Sequence, residues 1–263
     1  MISGMNQQEG QQKQVNGAQI LEQGDIYFFY RPKKAAEEVK GIEDVRRFFM
    51  VTAPEENHLY RLFVIGKKSL PEVRKTEARA SERYWARVGG IFKDASELTK
   101  ELSSDEFRKG DAARPAGEGK YAIIKHQDHT ELAYVLELPK EPGEAQRELG
   151  IEKEATYVIS VINPKIPRQS NLPSSEEHPK YPEEILNEFN ETENFVSLSK
   201  DTKFIDYQNA QIVLIGARQG IDVIKNETGI EIKEEQSSAD IFDKLKLRRE
   251  LVPTRPLTEG KLE

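Results

Sequence analysis

Short blocks of β-branched and aromatic residues alternate with polar segments along this chain. The first three blocks are IYFFY, RRFFMVT and YRLFVI, and Gly, Pro or Asn residues lie between them. Blocks of this length, bounded by turn-forming residues, are typical of β-strands. We therefore predict a three-stranded antiparallel meander formed by residues 26–30, 47–52 and 60–65.

Apolar residues occupy both faces of the first predicted strand. Ile26, Phe28 and Tyr30 alternate with Tyr27 and Phe29, so neither face is polar. A strand with one face in water alternates apolar and polar residues instead. The sheet is therefore either covered by other elements on both faces or curled into a barrel.

Helical spacing follows the meander. Between residues 77 and 102, apolar residues recur at steps near three and four, as one face of a helix requires. These residues are Tyr84, Trp85, Val88, Ile91 and Phe92. Because Gly89 and Gly90 weaken a helix interior, we predict a break there and a second helix from Asp94.

Three further strand blocks follow the polar residues 103–119: GKYAIIKH, ELAYVLELP and ATYVISVINP. Both triplets begin with a Gly-led, Tyr-containing block and end at proline, which favours a duplicated unit, although their internal spacings differ. We predict an α+β fold with two antiparallel-sheet units covered by helices, residues 24–110 and 111–217. Whether these units are a true duplication stays open.

The remaining segments flank or interrupt these units. The composition of residues 1–23 predicts a flexible tail. The prolines within residues 163–182 predict a surface loop. We interpret residues 218–263 as a C-terminal extension. It contains a hairpin, followed by an amphipathic helix over residues 237–251. The apolar stripe of that helix comprises Ile241, Phe242 and Leu245, which we predict to contact a protein partner.

Composition excludes several kinds of site. The chain has 263 residues, no cysteine and a net charge of −7. Disulfides, cysteine-containing metal sites and cysteine nucleophiles are therefore excluded, and the acidic balance disfavours binding to a nucleic-acid backbone. No apolar stretch resembles a signal peptide or a membrane span, so we expect a cytoplasmic protein that does not bind membranes.

The segment KHQDHTELAY contains two of the four histidines. If Gln127 and Asp128 form a two-residue turn, His126 and His129 face each other at the end of a hairpin. A four-residue loop would instead place His126 opposite Glu131. In both registers the histidines lie on the more polar face.

Two imidazoles with a nearby carboxylate suit zinc, nickel or iron. No His-Glu-x-x-His helix or second ligand pair accompanies them, and histidines at a turn are commonly solvated. We therefore predict an ordinary hairpin, with no resident metal or cofactor. His126, His129 and Glu131 stay candidate binding residues.

The segment ARPAGEGKY supplies a second candidate. Gly117 and Gly119 allow close approach of the backbone to a ligand, and Arg114 suits an anion. The segment lacks the Ser or Thr that follows Gly-Lys in a phosphate loop, and it leads into a strand rather than a helix. An alternative interpretation is a structural strand without a ligand.

Basic and aromatic residues near the first strand suggest a nucleic-acid surface as a further alternative. The basic residues are Arg31, Lys33, Lys34, Arg46 and Arg47. The segment GDIYFFY resembles the strand that opens PUA- or EVE-type barrels, which bind RNA or modified bases. That resemblance covers seven residues.

The segments GDIYFFYRPK, RPAGEGKYAI and ELPKEPGE resemble a bacterial protein family of unknown function, over roughly residues 20–217. The resemblance implies a recurrent fold but assigns no activity or binding residue. From the residues themselves we expect a non-enzymatic binding or assembly protein with an unidentified protein partner. The alternatives are an enzyme with a histidine and carboxylate site, then a nucleic-acid binding module, and a homo-oligomer stays open.

Overall fold

The protein is described by a computed structural model over residues 14–15, 18–33, 39–73, 83–103, 112–166, 178–199, 202–217, 241–249 and 252–263. The predicted C-terminal hairpin lies outside these residues. So do the centre of the predicted proline-rich loop and most of the predicted N-terminal tail. Among the described residues, every helix is too short or too polar to cross a membrane.

Antiparallel strands dominate the fold. They are β1 (Gln14–Val15), β2 (Ala18–Pro32), β3 (Val45–Pro54), β4 (Tyr60–Ile65), β5 (Tyr84–Phe92), β6 (Arg114–Lys125), β7 (Thr130–Leu138), β8 (Glu154–Ile162), β9 (Phe195–Ser197) and β10 (Gln211–Gly216). The wall follows the order β2-β3-β4-β5-β10-β8-β7-β6, and β6 pairs with β2. Eight strands therefore close into a barrel, while β1 and β9 pair outside this circuit.

Helical elements are short. The α-helices are α1 (Ala95–Leu102), α2 (Glu144–Leu149), α3 (Glu183–Asn187), α4 (Ile241–Lys244) and α5 (Arg255–Thr258), and the 3-10 helices are η1 (Ile42–Asp44) and η2 (Thr202–Ile205). Asp94 caps α1 by accepting a hydrogen bond from the backbone N–H of Ser96. This interaction satisfies one of the free N–H groups at the start of the helix.

The predicted α+β fold of two sheet units is wrong, because the structure is a mostly β barrel. The two sets of strands predicted for separate units meet at both β2–β6 and β5–β10. The alternative that the first sheet curls into a barrel is confirmed. A closed barrel also removes the exposed sheet edges that two separate units would have.

Two separate hydrophobic cores explain why apolar residues occupy both faces of β2. Phe28 lies inside the barrel with Phe48, Phe63 and Tyr134. Tyr27 and the other outward residues are also buried, because short helices cover this part of the outer wall. The outer cluster comprises Tyr27, Phe29, Phe49, Val51 and Leu62, with Leu98 and Leu102 of α1 and Ile241 and Phe242 of α4.

The helix predicted across residues 84–92 is also wrong, because these residues form β5. The pairing of β5 with β4 shifts register, so that Leu62 pairs with Gly90 and Phe63 pairs with Val88. Gly89 is the extra residue at this bulge. A bulge reverses the in-and-out alternation along a strand, and the resulting apolar spacing imitates that of a helix. The second helix, which was predicted to start from Asp94, is present as α1.

Candidate metal centre

The hairpin between β6 and β7 brings two histidines together. Lys125 pairs with Thr130, and the backbone N–H of His126 donates a 2.9 Å hydrogen bond to the carbonyl of His129. Of the two registers left open by the sequence, this pairing is the one with a two-residue turn. The imidazole rings stack, with centroids 4.8 Å apart and an interplanar angle of 11°.

Both histidines turn the same nitrogen toward one carboxylate. Nε2 of His129 lies 3.1 Å from Oε1 of Glu131, and Nε2 of His126 lies 3.3 Å from Oε2. The three donor groups lie within 4.8 Å of one another. Glu131 reaches the histidines because it lies one residue into β7, paired with Ile124 on the outer face of the barrel wall.

Two buried polar atoms at this cluster have no hydrogen-bond partner among the described residues: His126 Nε2 and Glu131 Oε2. Their separation is short, but their orientation does not make a hydrogen bond. Glu131 is only 3% exposed, and leaving a buried carboxylate oxygen unsatisfied is energetically costly. A cation between the imidazole and the carboxylate would satisfy both atoms at once.

A second carboxylate contacts the other side of His129. Its Nδ1 lies 2.7 Å from Oδ1 of Asp128. A hydrogen bond with Glu131 raises the pKa of His129 to about 9, although burial opposes this and Asp128 adds to it. Because carboxylates only accept hydrogen bonds, both ring nitrogens of His129 donate in the metal-free protein, which makes this ring an imidazolium.

The donor set has clear chemical preferences. Imidazole nitrogen and carboxylate oxygen together suit zinc and the divalent first-row transition metals. Three protein ligands leave at least one coordination position for water or an external ligand, as in catalytic rather than structural zinc sites. Binding requires His129 to release its Nε2 proton, so the metal takes the place of that proton.

The predicted anion-binding segment forms β6 and does not meet the histidines. Arg114 lies at the start of β6, near the ring of Tyr30 at 6.0 Å, whereas His126 follows the end of this strand. A Cβ on Gly119 would lie 2.0 Å from the carbonyl oxygen of Val135, and one on Gly117 would contact the ring of Phe28. These glycines therefore allow close packing of neighbouring strands.

The predicted partner residues Ile241, Phe242 and Leu245 pack against the outer wall of the chain's own barrel. They are between 0% and 4% exposed. A partner that used these side chains would have to displace this intrachain contact. The protein partner itself stays a prediction.

Two of the basic residues proposed for nucleic-acid contact are cross-strand neighbours. Arg31 pairs with Arg47 across β2 and β3, and its Nη2 donates to the carbonyl of Glu101 at 2.7 Å. Lys34 lies outside the described residues. Nucleic-acid binding stays a prediction.

Sequence reasoning missed a charged cluster inside the barrel. Arg61 is fully buried, and it lies 2.6 Å from both Glu22 and Asp206. Tyr121 donates a 2.6 Å hydrogen bond and Thr202 a 2.9 Å hydrogen bond to the Glu22 carboxylate. The only signal in the sequence is one arginine within the apolar strand YRLFVI. This network ties η2 to the end of the barrel.

A cleft of about 390 Å³ lies between the outer wall, α1 and α4. Three lysines and three carboxylates line it: Lys93, Lys244 and Lys246, with Asp25, Glu55 and Asp94. Asp25 forms ion pairs with Lys120 at 2.8 Å and with Lys244 at 2.9 Å. The lining therefore carries equal numbers of positive and negative side chains.

Comparison with models of known protein families, with curated proteins and with solved structures finds no match. The resemblance to a bacterial family therefore stays a prediction. The basis for a functional proposal is the geometry of the hairpin cluster.

Proposed function

We propose that this protein binds one divalent transition-metal ion, of which zinc is the representative, through His126, His129 and Glu131. The proposal belongs to the binding class expected from the sequence, but it uses the histidine and carboxylate chemistry of the predicted alternative. It replaces our expectation of an ordinary hairpin without a metal.

The single observation that supports the proposal most strongly is the pair of unsatisfied buried atoms, His126 Nε2 and Glu131 Oε2. A hairpin with only a structural role has no need to bury a carboxylate against two imidazoles. In the metal-free protein a proton on His129 compensates part of this charge. A divalent cation compensates more of it and also contacts His126.

The position of the cluster supports reversible binding. The turn itself is exposed, and the side chain of His129 is 35% exposed, so an ion can enter from solvent. Glu131 lies on a paired strand of the barrel wall, which holds one ligand fixed while the turn contributes the other two. Partial preorganisation of this kind favours binding, since fewer groups must be ordered when the ion arrives.

The test is the zinc affinity of the chelator-treated protein, measured by competition with a chromophoric chelator. We expect one zinc per chain, and about 100-fold or greater loss in His126→Ala, His129→Ala and Glu131→Gln, since each removes one of three ligands. His58→Ala is the matched control, because His58 is exposed and lies outside the site. Equal zinc binding by the wild type and all three ligand variants would overturn the proposal.

A further inference from the structure

Asp128 contacts the metal cluster without facing the metal position. Its carboxylate meets Nδ1 of His129, whereas Glu131 and His126 lie on the Nε2 side of the same ring. Asp128 is at the tip of the turn, with its side chain 87% exposed. It therefore does not add a fourth ligand in this arrangement, and its effect on a bound ion must pass through His129.

The orientation of a ligating imidazole has two parts, the plane of the ring and the position of its single proton. Stacking on His126 contributes to the first part. The second part depends on what contacts Nδ1, because a neutral imidazole holds its proton on one nitrogen and its lone pair on the other. A carboxylate at Nδ1 keeps the proton there and leaves the Nε2 lone pair available.

We infer that Asp128 is a positioning residue for the metal: once the ion has replaced the Nε2 proton of His129, Asp128 keeps the remaining proton on Nδ1, so that the Nε2 lone pair points at the ion. The inference rests on the proposed function. His126 has no comparable contact at Nδ1 within the described ranges, so the two histidines are not equivalent. His129 is the ligand whose ring Asp128 orients, and His126 completes the set.

An alternative role for Asp128 is purely structural, because Asp is common in two-residue turns. A third role is long-range attraction of a cation by an exposed negative charge. The three roles make different predictions for substitutions. A neutral hydrogen-bond acceptor preserves positioning but removes the charge, whereas a turn effect appears in the stability of the metal-free protein.

The experiment measures zinc affinity by chelator competition in Asp128→Ala, Asp128→Asn and the control Gln127→Ala, which alters the neighbouring turn residue. We expect about tenfold weaker binding in Asp128→Ala, at the lower end of what loss of such a contact usually costs, because this contact is exposed. Asp128→Asn keeps an acceptor for Nδ1–H and should stay within about threefold of the wild type. Thermal unfolding of each metal-free variant identifies a turn effect, and Asp128→Ser supplies a second variant that suits a turn.

A double-mutant cycle separates positioning from charge attraction. In a His129→Ala background, Asp128→Ala should cause no further loss of zinc affinity, because the ring through which Asp128 acts is absent. An equal tenfold loss in both backgrounds, or wild-type zinc affinity in Asp128→Ala, would overturn the inference. Either result would contradict only the role of Asp128. The proposed function itself would be contradicted if the wild-type protein failed to bind zinc.

Discussion

Oε1 of Glu22 lies 2.6 Å from Nη1 of Arg61 inside the barrel, where both side chains are almost completely shielded from water. Burial alone would lower the pKa of Arg61, but Glu22 and Asp206 raise it above its ordinary value. The guanidinium thus stays charged and joins β2 and β4 to the segment that follows η2. Two charges of this kind are stable in a barrel interior only while they remain paired.

Substitution of Arg61 is expected to destabilise the protein strongly. Arg61→Met leaves Glu22 buried without its cation, which costs about 3–5 kcal/mol for comparable buried pairs. Urea denaturation monitored by Trp85 fluorescence measures the change. Arg46→Met is the control, because Arg46 is exposed on β3, and surface substitutions usually change stability by less than about 0.5 kcal/mol. Similar small losses in both variants would show that the buried cluster does not hold the barrel end closed.

Gly119 is expected to be intolerant of any side chain. A Cβ there would lie 2.0 Å from the Val135 carbonyl and 3.0 Å from the Cα of Leu136, both backbone atoms that cannot rotate away. We expect Gly119→Ala to cost about 3 kcal/mol or more, since strand β7 would have to move. Chemical denaturation is again the measurement.

Gly41→Ala is the matched control for Gly119→Ala. The nearest atom to a Cβ on Gly41 is a flexible carboxylate oxygen of Glu148 at 3.6 Å, and the backbone of Gly41 is extended. Its substitution should change stability by less than about 0.5 kcal/mol. Equal costs at the two positions would contradict the close approach of β6 and β7.

The local strands could be predicted from the sequence, but the closure of the barrel could not. IYFFY and YRLFVI have enough aromatic and β-branched residues to indicate strands without tertiary information. Closure depends on β2 pairing with β6 and β5 with β10, contacts between residues far apart in the chain. The bulge at Gly89 further hid β5, because it removed the alternation by which strands are recognised.

The candidate metal site was partly predictable. Local spacing placed His126, His129 and Glu131 at the end of one hairpin, but it left open whether the turn has two residues or four. The burial of Glu131 and the convergence of both Nε2 atoms on its carboxylate depend on side-chain rotamers and on the surrounding wall. Sequence spacing does not specify these features, so it favoured an ordinary hairpin.

Asp25 is expected to make stability depend on pH in the acid range. Burial alone would raise the pKa of Asp25, but hydrogen bonds from Lys120 and Lys244 outweigh this and hold it below its ordinary value. A lowered folded-state pKa contributes stability that is present above the unfolded-state pKa and is lost as pH falls through the folded-state pKa. Asp25→Asn should therefore cost about 1 kcal/mol at pH 7.

The difference between wild type and Asp25→Asn should shrink as the pH is lowered below about 4, where the unfolded chain begins to bind the proton. Denaturant unfolding at a series of pH values measures this. Lys120→Met and Lys244→Met should each weaken the pH dependence, because each removes one of the two hydrogen bonds. Parallel stability curves for wild type and Asp25→Asn from pH 7 to pH 3 would contradict this prediction.

Cobalt(II) is expected to report an open coordination position at the hairpin. With three protein ligands and water, the ion should give the visible absorption of a four-coordinate or five-coordinate site, and azide should change this spectrum by replacing the water. Glu131→Gln, which lacks one ligand, should reduce or abolish the spectrum. A cobalt spectrum that azide does not alter would contradict an open position and indicate a closed site.

Diffraction from crystals of the zinc-loaded protein, recorded at wavelengths on both sides of the zinc absorption edge, shows whether His126, His129 and Glu131 bind the ion. We expect one anomalous peak per chain, about 2.0–2.2 Å from Nε2 of His126, Nε2 of His129 and a carboxylate oxygen of Glu131. A peak elsewhere, or no peak at this hairpin in fully loaded crystals, would show that these three residues do not form a zinc site.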